Sequence, residues 1–354
     1  MLILKNADME GLVTMAQVVS ELEVAYAELG RDVAKNAPRA RLYVPTAQPD
    51  TKYFFNNIMG AVPGSGVIAL RIDSSFIRYH ELDGRRWKDY PGDFVGLVLL
   101  FDLATTELLA MVDDHYISTL RVGGTSGVGA RHLAREDAAT VGLFGTGAQA
   151  RTQLEAMCAV RPIRQVRVFS PNPEHRLRFA EEMSGRLDIT VRAVGTPSEV
   201  VPGADIVIAA TNAVDPLFPG ELLEPGQHVV AIVGGDVSFE RRELESAAVR
   251  RAQVRVVNSR VQAMGDRQPM FRELVENGEL AWEDLVELAD IAAGVAPGRQ
   301  AAEQITLHHN NTGMGIQFAA IGAVLYREAK RQGRGQELPG ELFMTRKGGE
   351  LWAP

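Results

Sequence analysis

A glycine-rich turn stands where chemistry with a phosphorylated cofactor would need one. The run Val141-Gly142-Leu143-Phe144-Gly145-Thr146-Gly147-Ala148-Gln149-Ala150 sets G-x-G-x-x-A between two periodic segments. Before it lies the β-rich stretch 140–144, and after it a helical pattern with Ala150, Leu154, Met157 and Cys158 on one face. Each small residue has a task. Gly145 makes the tight turn, Gly147 lets the backbone approach a pyrophosphate, and Ala150 allows helix and strand to pack closely. The diphosphate would then sit at the positive helix end, on the amides around Ala148 and Gln149. Glycine turns are common, so the motif alone is weak; its place between strand and helix makes a dinucleotide the expected ligand.

The next strand end bears on which dinucleotide. An acidic residue there would bind the adenosine ribose hydroxyls. This chain offers Phe169-Ser170-Pro171-Asn172-Pro173-Glu174-His175-Arg176 instead. Ser170 carries no charge to repel a 2′-phosphate and Arg176 has the charge to pair with one, so NADP(H) is favoured over NAD(H). The competing reading makes Arg176 a solvated helix residue. Asn172 and Pro173 also suit the cap and first position of a helix.

The elements that position these residues alternate. Strand signals at 140–144, 166–169, 189–194, 205–211 and 228–233 are separated by helical or turn segments, which implies a parallel sheet covered on both faces. Residues 1–124 differ. An early helix (9–29) precedes β-like runs at 67–72, 75–79 and 97–103, divided by Pro63-Gly64-Ser65-Gly66 and by the hairpin signal Leu82-Asp83-Gly84. A helix at 117–133 would link the halves, and the helical pattern at 315–331 would return to the first. The expected fold class is α/β. A Rossmann-type dinucleotide-binding domain (125–311) accompanies a smaller β-rich α+β substrate and dimerisation domain (1–124 with 312–354).

Composition narrows the class. Of 354 residues 46% are hydrophobic and 23% charged, which suits a soluble globular chain. A net charge of −8 argues against nucleic acid as partner. The runs Arg241-Arg242 and Arg250-Arg251, interleaved with Glu243 and Glu245, read as solvated faces. The single cysteine, Cys158, excludes an internal disulfide and a multi-cysteine zinc site, and reads as a buried helical residue. No apolar run reaches membrane-span length and no leader is evident, so the expected location is the cytoplasm.

Several separated segments together resemble the ornithine cyclodeaminase/mu-crystallin family. They are Ile117-Ser118-Thr119-Leu120-Arg121-Val122-Gly123-Gly124-Thr125-Ser126, the glycine loop Gly145–Gln149, and Ala209-Ala210-Thr211-Asn212. Leu223-Glu224-Pro225-Gly226-Gln227-His228, Val233-Gly234-Gly235-Asp236 and Pro297-Gly298-Arg299 complete the set. The resemblance implies a homodimer acting on small α-amino, α-imino or keto acids. It also implies a cofactor cleft that includes Thr125, Thr211, Asn212, Val233 and Gly234. Arg121 takes the substrate carboxylate in this reading, which suits arginine's planar fork. Arg41 is the second anchor, with Arg39 competing for that role. Asp236, after two glycines at a strand end, would serve the substrate nitrogen as acid or base, with helix capping as the alternative.

Two departures from the family pattern bear on substrate. Arg71 replaces a usual lysine; as a catalytic and substrate-binding candidate it can pair with a carboxylate, but it cannot release a proton at neutral pH. Asn57 falls near a usual glutamate, which disfavours a diamino acid such as ornithine. His115 stands about where threonine is usual and reads equally as a substrate contact or a core histidine. Side-chain preference is expected from loops around 53–59 and from His80, Trp87 and Tyr90. The function this implies is NAD(P)-dependent oxidation or reduction at the carbon–nitrogen bond of a small amino or imino acid. Cyclodeamination with recycled dinucleotide, opine-like condensation, and a mu-crystallin-type binding role are its rivals.

Overall fold

The computed structural model describes residues 1–345 apart from 83 and 236–238. Its strands form two sheets. The first contains β1 (Leu2–Leu4), β2 (Lys35–Asn36), β3 (Ala40–Pro45), β4 (Thr51–Val62), β5 (Val67–Leu82), β6 (Arg85–Asp89), β7 (Val95–Asp102), β8 (Leu108–Asp113) and β17 (Gln336–Glu337). The second contains β9 (Thr140–Phe144), β10 (Gln165–Phe169), β11 (Thr190–Ala193), β12 (Ile206–Ala209), β13 (His228–Ala231), β14 (Val254–Val257), β15 (Val286–Glu287) and β16 (Thr306–His309).

The second sheet is parallel throughout, in the order β11-β10-β9-β12-β13-β16-β14-β15. All residues of β12, β13 and β16 are buried, as strands covered on both faces must be. The chain winds outward from β9 through β10 to β11, then resumes on the other side of β9 with β12. That reversal opens a crevice at the carboxyl ends of β9 and β12, where ligands of such sheets bind.

The first sheet is mostly antiparallel, and β4 pairs with β5 over its whole length from Val62↔Val67 to Thr51↔Arg78. Several expectations change here. Runs 67–72 and 75–79 are one strand, residues 53–59 lie within β4 and not in a loop, and β3 and β8 are strands with no advance signal. The early helix is two: α1 (Asn6–Met9) and α2 (Met15–Gly30), with Gly11 at φ +72° between them and Thr14 capping the second. The hairpin forms, with Leu82 opposite Arg85.

Helix α3 (Asp114–Leu133) runs from the first sheet to the second, three residues longer at its start than expected. It crosses α4 (Ala148–Val160) so closely that a Cβ on Gly123 would lie 2.6 Å from the Thr152 carbonyl oxygen. Helix α5 (Pro173–Leu187) starts at the expected cap, where Asn172 accepts from the amides of Glu174 and His175. The shorter helices α6 (Ser246–Arg251), α7 (Arg260–Gly265), α8 (Pro269–Glu276) and α9 (Leu288–Ala292) follow. Helix α10 (Gly315–Gln332) packs on β4 and β5, and Phe318, Ala319 and Ile321 join a core shared with α2. Cys158, expected buried, is half-buried, and its surroundings push the thiol up to about 11. No helix of the described residues is long and apolar enough to cross a membrane.

The second sheet buries three histidines. His228 Nδ1 lies 2.9 Å from Thr306 Oγ1, His308 Nε2 lies 3.0 Å from Asn258 Oδ1, and His309 Nε2 lies 3.1 Å from the Val233 carbonyl. Burial pushes His308 down to about 3, His309 to about 4, and His228 well below the ordinary value. The folded chain therefore leaves them neutral while the unfolded chain protonates them near pH 6.5. Their contribution is intact above that pH and is lost as pH falls from 6.5, down to about 4 for His309 and about 3 for His308. At pH 5 His308 and His309 each cost about 2 kcal/mol. Urea midpoints should fall steeply between pH 7 and 5 and less steeply in His309→Asn; a flat profile would contradict this account.

Candidate active site

The turn after β9 has the geometry its glycines predict. Gly145 has φ +102°, and a Cβ there would lie 2.1 Å from the Ala210 carbonyl oxygen, so only glycine fits. Its amide donates to the Phe169 carbonyl at 2.9 Å, locking the turn onto β10. Gly147 caps α4 and has nothing within 4 Å of where its Cβ would be, which leaves the helix end open. Arg151, paired with Glu182, also donates to the Thr146 carbonyl at 2.9 Å. Along this edge runs a cleft of about 880 Å³. Gly145–Gln149, Phe169–Pro171, Ala210–Ala213 and Ile232 line it, together with His115 and Thr119 of α3. A bent glycine backbone, an open helix end and a groove along the carboxyl edge of a parallel sheet fit a dinucleotide.

Two residues beyond Ile232, Gly234 belongs to the wall of a second cavity of about 280 Å³. Strand register builds its floor. Arg41, Asn56, Asp73 and Gly96 stand opposite one another across β3, β4, β5 and β7, and Ile58, Arg71 and Val98 form the next row. Residues so aligned share a face. Arg39, Lys88, Tyr90, Arg121 and Arg241 complete most of the wall.

The arginines differ in what they hold. Arg41 grips Asp266 with both nitrogens, at 2.7 and 3.3 Å. Arg71 donates from Nε to Asp114 at 2.9 Å and lies 3.3 Å from Asp73. Arg121, by contrast, has no carboxylate partner among the described residues. Its Nη1 reaches Gln317 Oε1 at 3.3 Å, its guanidinium lies 5.3 Å over the Phe318 ring, and its Nε has no partner. Burial and the nearby Arg71 push it down to about 10. Gln317 is itself fixed by Tyr26 and Thr125, at 2.8 and 2.9 Å. A half-buried guanidinium so braced is a ready receptor for a carboxylate.

The family model for the ornithine cyclodeaminase/mu-crystallin family matches residues 76–333. The chain belongs to this family. Among relatives, a putative dehydrogenase of Rhizobium meliloti is 30% identical over 93% of this chain and 96% of its own. The iminosuccinate reductase of Paracoccus denitrificans is 27% identical over 96% of this chain and 99% of its own. The Δ1-pyrroline-2-carboxylate reductase of Thermococcus litoralis, solved with NADH and L-proline, superposes with TM-score 0.80 at 30% identity, covering 96% of this chain and all of that one.

Within this family member the predicted site residues fall into groups. Gly145, Gly147, Ala148, Gln149, Ser170, Thr211 and Asn212 line the cleft; Arg41, Arg71, Arg121 and Gly234 line the second cavity. Thr125 is fully buried beside Gln317, on the side of Arg121 and not of the cleft. Asn172 is occupied as a helix cap, and Arg176 is turned onto the Ser170 carbonyl at 2.8 Å and the Phe169 ring, so neither lines the cleft. His175 and Arg178 stand there instead. His115 is exposed to the cleft, which removes the core reading for it. Asn56, and not its neighbour Asn57, faces the cavity. Of the aromatics, Tyr90 lines it, Trp87 packs against Phe239 at 6.4 Å, and His80 is exposed. Asp236 lies outside the described residues.

The reading of 241–245 as a solvated run fails at two positions. Arg241 lines the cavity, and Glu243 is fully buried. One Glu243 oxygen accepts from the Thr211 amide and hydroxyl, both at 2.7 Å; the other accepts from the amides of Ile232 and Val233 at 3.2 and 3.1 Å. A single carboxylate thus ties together the carboxyl ends of β12 and β13. Burial raises its carboxyl above the ordinary value against the pull of these donors.

Proposed function

We propose that this protein is an NAD(P)-dependent reductase of carbon–nitrogen double bonds in small α-imino acids. The observation that carries this reading is Arg121, half-buried and without a carboxylate partner among the described residues, in a cavity that meets the dinucleotide cleft at the end of β13. Arg121 would take the substrate carboxylate and hold the α-carbon towards the cleft. Arg71, fixed by Asp114 and Asp73, adds positive charge without moving. A dinucleotide bound in the cleft supplies the hydride. To Asp236 we assign the proton given to the nitrogen, on its sequence position alone. The wall offers no carboxylate at Asn56 for a second ammonium group, and Asp73 is engaged by Arg71, which favours reduction over cyclodeamination of a diamino acid.

We further favour NADP(H). Ser170 ends β10 without a negative charge, and Arg178 and His175 stand beside it in the cleft, in the role first given to Arg176. The domain division at 124/125 and 311/312 is retained as a proposal, as is a cytoplasmic location. For the homodimer, the face of the first sheet turned from the cavity supplies a surface. Leu42, Val44, Phe76 and Val95 are exposed there, in rows with Tyr53 and Phe55.

The test follows NADPH and NADH oxidation at 340 nm with Δ1-pyrroline-2-carboxylate, and with 2-oxo acids plus ammonium. Stoichiometric oxidation without ammonia release is expected. Arg178→Ala should lower kcat/KM for NADPH about tenfold relative to that for NADH. Ammonia release from ornithine without net change in dinucleotide would overturn the reductase reading.

A further inference from the structure

Among the described residues, the cavity wall holds more positive charge without a carboxylate partner than one substrate carboxylate can answer. Six cationic side chains among these residues line it, at positions 39, 41, 71, 88, 121 and 241, against one lining carboxylate, Asp73. Asp266 and Asp114 are gripped by Arg41 and Arg71. That leaves Arg121 without a carboxylate partner, and it leaves Arg39 in the same condition. Arg39 makes no hydrogen bond or ion pair among the described residues, and its enclosed Nε has no partner. Burial, together with Arg41 and Arg121, pushes its guanidinium down to about 9. A second half-buried cation without a carboxylate partner beside a first is costly, and such a cost is carried where a ligand supplies the missing charge.

The two arginines belong to different walls. Arg121 comes from α3, whereas Arg39 directly precedes β3. Their separate origins suit two anionic groups at the ends of one short molecule better than both oxygens of a single carboxylate.

We propose that the substrate is a dicarboxylic α-imino acid, its α-carboxylate on Arg121 and its distal carboxylate on Arg39. A four- or five-carbon diacid suits a cavity of about 280 Å³. This inference rests on the reductase reading for its chemistry but not for its binding. In the reaction, a 2-oxo diacid and ammonia condense with loss of water. The resulting C=N bond takes a hydride at carbon from the reduced dinucleotide and a proton at nitrogen, giving the amino diacid and the oxidised dinucleotide.

The test has a binding arm and a turnover arm. Calorimetric titration of the dinucleotide-loaded protein should give succinate a Kd at least 30-fold below that of propionate, and Arg39→Gln should shrink this ratio below threefold. With ammonium and NADPH, oxaloacetate or 2-oxoglutarate should exceed pyruvate in kcat/KM, and Arg39→Gln should lower the diacid-to-monoacid ratio at least 100-fold. Equal binding of succinate and propionate, or equal weakening of both in Arg39→Gln, would overturn the proposal while leaving imine reduction in place. Arg39-dependent succinate binding without turnover of any imine would instead uphold the two-anion site and overturn the reductase reading.

Discussion

Arg121→Leu is expected to lower kcat/KM for the imino acid about a thousandfold while leaving dinucleotide affinity within threefold and thermal stability equal or higher. The three outcomes come from one geometry. Arg121 has no carboxylate of its own, so the substrate carboxylate would be its only ionic partner among the described groups. Removing one side of a desolvated, hydrogen-bonded charge pair costs roughly 4 kcal/mol, or about three decades in rate. The free protein bears the opposite cost, because it keeps a guanidinium partly desolvated beside Phe318 with one hydrogen bond to Gln317. An apolar side chain of lower volume relieves that burial, as replacements of buried charge often do. Arg121→Lys should fall between, with kcat/KM reduced about 10- to 100-fold, because an ammonium keeps the charge and loses the two-pronged grip. A large drop in melting temperature for Arg121→Leu would show that Arg121 is structural; unchanged kcat/KM would remove it from the site.

How much of this was legible in the sequence divides along the sheets. The parallel half announces itself because buried strands such as Ile206–Ala209 and His228–Ala231 are continuous apolar runs, and the turn at Gly145 has a residue pattern fixed by its own backbone. The antiparallel half hides its strands. In β4 the cavity-facing Asn56 is polar because it lines the site, so the alternation that marks a half-buried strand is broken where function intrudes. The choice between Arg39 and Arg41 has a similar cause. Two positions apart on one extended segment, they face the same way, and only Asp266, more than two hundred residues later, distinguishes them. Arg176 and Arg178 likewise sit on one exposed helix start, where rotation about the helix axis selects which one reaches the cleft.

Glu243 is the strongest case of a site residue without a local signal, and its replacement should have the second large effect. In Glu243→Ala the amides of Thr211, Ile232 and Val233 and the Thr211 hydroxyl lose their acceptor inside the protein. Each orphaned donor costs roughly 1–3 kcal/mol where water cannot reach, so a loss of about 3 kcal/mol is expected even after partial rehydration. The local consequence is more specific than the loss of stability. Thr211 and Ile232 both line the dinucleotide cleft, on neighbouring strands that Glu243 bridges from behind. Dinucleotide Kd should rise at least tenfold when measured well below the melting transition. Glu243→Gln preserves the shape but turns a carboxamide NH₂ towards one pair of donors, so about half the stability loss and a smaller rise in Kd are expected. A merely structural role predicts a lower melting temperature with Kd unchanged in the folded protein. A positioning role predicts that the two move together from Glu243→Gln to Glu243→Ala, because the donors that stabilise the sheet edge also fix the wall the dinucleotide meets.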